Sequence, residues 1–257
     1  MALVNYSVID RIATISINRP DKKNALNFEV VSELKNAFDQ AEKDASVKVV
    51  ILTGEGDVFC AGADLEYLQT LQKNSYEENL KDSTHLMELY KKIYTLKKVV
   101  IAKINGHAIA GGCGLAAVCD FSFSTINANF GYTEVRIGFI PAIVMVFLLR
   151  KVGEANAKEL LLSGKIIKAQ EAQNLRLINY ITEAEELDAT VQAFAESLCK
   201  NNSGISMEIT KRMIAEIGSM SLDEGLAYAA AQNAEARSSA DCQRGIAAFL
   251  NKEKITW

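Results

Sequence analysis

The sequence predicts an α/β protein with a helical C-terminal part, and three observations carry that prediction. The near-continuous β-branched runs VKVVILTG (47–54) and VVIAKING (99–106) suit strands buried on both faces. Stretches around them repeat apolar residues at helical spacing. Beyond about residue 150 the strand-like runs give way to helical patterns.

Taken in order, Tyr6–Ile9 and Ile12–Ile17 are β-branched runs separated by Asp10-Arg11, which predicts a hairpin closed by Pro20. Residues 28–45 place Val30, Val31, Leu34, Ala37, Phe38 and Ala41 on one helical face. After the strand at 47–54, residues 80–97 return to helix, with Leu86, Leu89, Tyr90, Ile93 and Leu96 on one stripe. AIAGGCGLAAVCD (108–120) then sets three glycines ahead of an apolar helical run, and FSFS (121–124) is a short strand. This alternation implies parallel strands covered by helices. EANAKELLLSG, KAQEAQNLRL, ELDATVQAFAESL and SMEITKRMIAEI follow as helices. With two prolines and no low-complexity linker, the chain reads as one continuous domain with a helical appendage.

A net charge of −4 over 257 residues argues against nucleic acid or an anionic membrane as partner. The five cysteines are scattered without CxxC spacing, so they suit reduced cytosolic thiols and neither a disulfide frame nor a zinc site. The first residues lack a basic region leading into a long apolar core, and no run reaches the roughly 18 apolar residues of a membrane span. The expected location is the cytoplasm.

Three loops could hold chemistry, each after a strand of the α/β half, where ligand sites of such folds gather. GEGDVFCAGADL (54–65) is either a glycine loop near a ligand or a turn in which Asp64 caps a helix. Gly111-Gly112-Cys113-Gly114 puts amides at a helix start that favours negative charge, or serves close strand–helix packing. It is not GxGxxG and lacks the lysine of a phosphate loop. In NFGYTEVRIGFIPA (129–142), Glu134 lies among apolar and aromatic residues, a setting that raises a carboxyl pKa and suits proton transfer. Pairing with Arg136, or plain solvation, is the alternative. His85 falls on a polar helix side, whereas His107 precedes the glycines and could line a pocket. No metal-ligand spacing and no GxSxG elbow occur.

Together these loops resemble the crotonase (enoyl-CoA hydratase/isomerase) superfamily. NRPDKKNALN (18–27), FCAGADL (59–65), INGHAIAGGCGLAAVCDF (104–121) and FGYTEVRIGFIPA (130–142) carry the resemblance, with LLLSGKIIKAQEAQ (160–173) and EARSSADCQRGIAAFLNK (235–252). It implies an α/β spiral of ββα units (ClpP/crotonase-like) over residues 1–195, and a helical C-terminal trimerisation region over 196–257. The implied assembly is a homotrimer or a hexamer, a dimer of trimers. The implied substrate is an acyl-coenzyme A thioester, with no separate cofactor or metal. Carried over by position, the N–H groups of Ala63 and Gly111 hold the thioester oxygen as an oxyanion hole, and Glu134 is the acid–base carboxylate. The coenzyme A and substrate contacts map to Lys23, Ala25, Leu26, Ala61, Gly62, Asp64, Leu65, Gly112, Thr133 and Pro141, with Lys22 and Lys23 near the phosphates.

Two departures stand out. The first of the family's two hydratase glutamates falls at Gly114, which has no side chain, and Arg176 stands where many members have glycine at a turn. One carboxylate leaves hydration of a 2-enoyl-CoA with Glu134 alone, aided by Tyr132, His107 or water. It equally leaves Δ3–Δ2 enoyl-CoA isomerisation, or a low-activity acyl-CoA binder. The GGCGL and TEVRIGFIPA pattern resembles bacterial 3-methylglutaconyl-CoA hydratases, which sets hydratase ahead of isomerase.

Overall fold

Asp10 and Arg11 both take positive φ (48° and 71°), the backbone a tight hairpin turn demands. In the computed structural model, which describes residues 2–257, that turn joins β1 (Val4–Ile9) to β2 (Ile12–Ile17) in antiparallel register. Strands β3 (Val49–Gly54), β5 (Val99–Ile104), β7 (Phe121–Thr125) and β10 (Tyr180–Thr182) extend the hairpin into a six-stranded sheet, ordered β1-β2-β3-β5-β7-β10. Every pairing beyond the hairpin is parallel. As the β-branched run predicts, β3 is buried along its whole length.

A second sheet was not visible as strands in the sequence. It is built from β4 (Val58–Cys60), β6 (His107–Ile109), β8 (Asn129–Gly131) and β9 (Ile166–Lys168), in that order. Three-residue strands are too short to show a period of two, and only pairing with neighbours defines them. Strands β3, β5 and β7 are each followed by a short strand and then by helix. β3-β4 leads to α2 (Leu65–Leu71) and α3 (Tyr76–Thr95), β5-β6 to α4 (Gly111–Val118), and β7-β8 to α5 (Ala142–Ser163). The repeated ββα step gives the expected spiral and brings the three loops to one side.

The helices start where capping chemistry allows. Asn27 accepts from the Val30 N–H at 2.9 Å to open α1 (Phe28–Lys43), and Ser75 with Glu78 forms a reciprocal capping box on α3. α5 begins twelve residues before the EANAKELLLSG segment (154–164) and breaks at Gly153 (φ 75°, ψ 169°). α6 (Ala169–Asn174) ends near Arg176, whose φ of 63° explains why glycine is usual there.

The main core lies between the sheets and α1, α3, α4 and α5, around Leu34, Phe38, Phe59, Leu89, Tyr90, Phe130 and Leu148. A second cluster covers the other sheet face, where Val49, Ile51, Ile101 and Phe123 meet Leu187, Val191 and Ala195 of α7 (Leu187–Asn201). The chain then continues through α8 (Gly204–Ile217), α9 (Leu222–Ser238) and α10 (Ala240–Leu250). Among the described residues no helix is long and apolar enough to cross a membrane.

One buried cation ties α8 to the α/β half. Lys211 Nζ donates to Asp120 (2.7 Å) and to the carbonyls of Ile93 (3.1 Å) and Lys98 (3.0 Å). Lys211→Met leaves that carboxylate unpaired and is expected to lower stability by about 3 kcal/mol, read from the urea midpoint.

Candidate active site

The first loop is held by residues 23–26. Ala61 N–H donates to Lys23 O (3.0 Å), Leu26 N–H to Gly62 O (2.7 Å), and Asp64 N–H to Leu26 O (2.8 Å). These bonds form a parallel bridge between Leu26 and Ala63. A trans peptide sets its N–H opposite its C=O, so with Gly62 O turned to Leu26 the Ala63 N–H points the other way. Gly62 has φ +92°, and a Cβ there would lie 2.9 Å from Ala110 Cβ and 3.5 Å from Gly111 N. The loop therefore abuts the glycine segment.

The second loop turns on Ala110, at φ 50° and ψ −123°, a conformation costly for a residue with a Cβ. Its N–H donates to Gly131 O (2.7 Å) and its carbonyl accepts from Gly114 N–H (3.1 Å). By the same planarity, Gly111 N–H points back out of the start of α4. Neither the Ala63 nor the Gly111 N–H has a hydrogen-bond partner among the described residues. Two neighbouring free amides, one at a helix N-terminus, make a place where an oxygen can carry negative charge.

The other glycines do different work. A Cβ on Gly112 would lie 2.7 Å from the Cys60 carbonyl carbon, so α4 rests directly on β4 and Gly112 serves packing. A Cβ on Gly114 would overlap Val144 Cγ1 and come within 3.3 Å of Tyr90 Cε1. The space a side chain would need at position 114 is filled.

Glu134 opens a 3-10 turn, Glu134–Ile137, just after β8. Its side chain is half-buried, and its Oε2 is shielded from solvent without a hydrogen-bond partner. Burial raises its pKa, as its apolar surroundings predict. It makes no ion pair with Arg136, which is exposed. Tyr90, Cys113 and Tyr132 are fully buried, and each feels the Glu134 charge. The Tyr132 hydroxyl faces the Cys113 thiol.

The remaining predicted residues divide by what their side chains do. Asp64 is buried, caps α2 through the Glu66 and Tyr67 amides, and pairs with Arg19 at 2.8 Å. Burial pushes its pKa up, but Arg19 and the two amides outweigh that and hold it below the usual carboxylate range. Its carboxylate is thus committed to the loop. Ala25 and Leu26 are buried, and Arg19 donates to Ala25 O at 2.7 Å. Lys22 pairs with Glu66 (2.6 Å), while Lys23 is exposed beside it. Leu65 is 77% exposed, and Thr133 and Pro141 are half-buried at the starts of the 3-10 turn and α5. His107 is exposed and meets Asn129 (3.2 Å), and His85 stacks on Phe28 across α1 and α3. Tyr90 escaped the sequence reading because helical periodicity marks it as core, and Val144 because it lies on a stretch assigned to no element. The only signal was a glycine inside an apolar helix.

Free amides at the carboxyl ends of parallel strands, with a desolvated carboxylate whose charge reaches the tyrosine bonded to Gly111 O, are features found together in enzyme sites. Residues 9–257 match the family model for enoyl-CoA hydratase/isomerase, and the chain belongs to that family. It is 41% identical over 241 residues to a Thermus thermophilus protein named as a candidate enoyl-CoA hydratase, covering 94% of this chain and 95% of that one. It is 33% identical to the short-chain-enoyl-CoA hydratase of Clostridium acetobutylicum, covering 95% and 93%. The crystal structure of a Mycobacterium smegmatis enoyl-CoA hydratase superposes with a TM-score of 0.93 at 28% identity, covering 99% and 98%.

Overpacking makes Gly114→Glu destabilising by about 1–3 kcal/mol, and adding Val144→Ala is expected to recover at least about half of that loss in urea unfolding. Because its native pKa is raised, ionised Glu134 opposes folding above that pKa, and the cost vanishes as pH falls to the ordinary carboxyl range. Glu134→Gln should therefore melt higher than the wild type at neutral pH, with the gap closing on acidification.

Proposed function

We propose that this enzyme adds water across the double bond of a 2-enoyl-CoA thioester, with Glu134 as the acid–base group and the N–H groups of Ala63 and Gly111 holding the thioester oxygen. The observation that carries the reading is the pair of adjacent, unpartnered amides, together with a carboxylate whose buried oxygen also lacks a partner and whose charge reaches Tyr90 on Gly111 O. Glu134 takes a proton from water as the oxygen adds to C3. The electron pair moves through C2 onto the thioester oxygen, and the enolate is held by the two amides. The same carboxyl then returns the proton to C2, so the net change is addition of one water. A raised pKa suits a group that must serve as base and then as acid near neutral pH. In other enzymes, losing one such oxyanion donor costs about 3–4 kcal/mol of transition-state stabilisation.

The filled space at Gly114 favours a second reading for 3-enoyl substrates: Glu134 removes a proton from C2 and delivers it to C4, isomerising the double bond. Coenzyme A would lie along the 23–26 and 61–65 segments, with Lys23 toward the phosphates, since Lys22 is paired. 3-Methylglutaconyl-CoA is the substrate proposed from the sequence pattern. Assembly as a trimer or hexamer in the cytoplasm completes the reading. It is supported by the exposed Leu222, Leu226, Phe249 and Leu250 on α9 and α10.

Incubation with 2-enoyl, 3-enoyl and 3-methylglutaconyl thioesters in heavy water separates the two reactions, because hydration adds mass and places deuterium at C2. Glu134→Gln should lower kcat about 10²–10⁴-fold while the Kd of a saturated acyl-CoA stays within about threefold. Full activity in that variant would remove Glu134 from the chemistry, and absence of turnover of every enoyl substrate by the wild type would leave a binding protein.

A further inference from the structure

Tyr90 is fully buried on α3, in the stripe that forms the core, yet its hydroxyl has a specific use. It donates to Gly111 O at 2.7 Å, and a Cβ on Gly111 would sit 3.1 Å from that hydroxyl, tight enough that the ring would have to give way. The same ring closes one side of the space beside Gly114, where Val144 closes the other.

We propose that Tyr90 is a positioning residue for the Gly111 amide, fixing the peptide on its C-terminal side, and that with Val144 it walls off the place a second carboxylate would need. This rests on reading the Gly111 N–H as a donor to the thioester oxygen.

Ala110 sits in a conformation that relaxes by rotation about its own ψ and the adjoining φ of Gly111, and that rotation would swing the Gly111 N–H away from Gly62. The peptide that carries the Gly111 N–H is held at its own carbonyl, where Ala110 O accepts from Gly114 N–H at 3.1 Å, and two further hydrogen bonds fix the links on either side. Ala110 N–H is held by Gly131 O at 2.7 Å on one side, and Gly111 O by Tyr90 at 2.7 Å on the other. Glycine at 111 has no side chain to restrict its φ and ψ, so the setting of its N–H depends on how its own carbonyl is held as well as on the Gly114 bond. Tyr90 is itself braced, its ring tilted against Phe147 of α5 at 6.3 Å. Burial pushes its pKa well up, which keeps the hydroxyl a protonated donor. A core position alone would need only the ring.

The test uses Tyr90→Phe and a conjugated dienoyl-CoA thioester, whose absorption moves to longer wavelength when its carbonyl is polarised. The wild type is expected to shift the band on binding. Tyr90→Phe should lose at least about half of that shift and about tenfold in kcat, with KM within about twofold, because misaligned catalytic groups cost rate more than binding. 4-Aminophenylalanine at position 90 restores an N–H donor and should fall between the two. A shift and kcat unchanged in Tyr90→Phe, or a loss confined to KM, would overturn the assignment. If the Phe variant does not fold, the amino variant decides: wild-type shift and kcat overturn the proposal, and intermediate values support it. No shift in the wild type would instead bring down the oxyanion reading beneath it.

Discussion

Helix α4 lies with its backbone against the Cys60 carbonyl, a contact possible only because residue 112 has no Cβ. The closeness fixes the height of the helix start over the second sheet and brings Gly111 beside Gly62. From there the geometry is nearly rigid, because each free amide belongs to a peptide whose carbonyl is already engaged. Gly62 O is held by Leu26 and Ala110 O by Gly114, and planarity does the rest. The site is thus made less by side chains reaching in than by peptide planes with no freedom to turn.

The cost of this arrangement is concentrated at Ala110, where a strained conformation is worth about 1–3 kcal/mol. The surrounding structure carries it through well-packed neighbours and through hydrogen bonds from three directions. Glu134 adds a second local cost, a carboxyl shielded on one oxygen and left without a partner. Both costs fall at the candidate site, where such local exceptions gather in enzymes.

The far end of α4 is secured by buried cations. Lys151 of α5 donates to Ala117 O (3.0 Å) and Cys119 O (3.1 Å), the carbonyl end of the helix where positive charge is favoured. Burial lowers the Lys151 pKa. Beside it, Asp120 receives Lys211 from α8 and also accepts from Val100 N–H at 2.7 Å. The C-terminal helices are therefore tied, through one ion pair, to the helix that presents the glycine loop.

The local patterns of the chain determined a good deal. β-Branched runs identified the long strands, two residues at a turn predicted the hairpin, and apolar periodicity located α1 and α3 with boundaries off by at most four residues. The motifs at 61–65, 110–114 and 130–142 also marked the loops that meet, and the apolar setting of Glu134 foretold its raised pKa. What the sequence could not express is anything defined by a neighbour distant along the chain. The short strands of the second sheet exist only through pairing, Gly112 is demanded by a carbonyl more than fifty residues away, and Asp64 turns out to be committed to Arg19. Gly114 shows the division most clearly. Read along the chain it is a missing carboxylate, whereas in three dimensions its place is taken by Val144 and Tyr90. Periodicity reports which face of a helix is buried, but only packing decides what each buried atom touches.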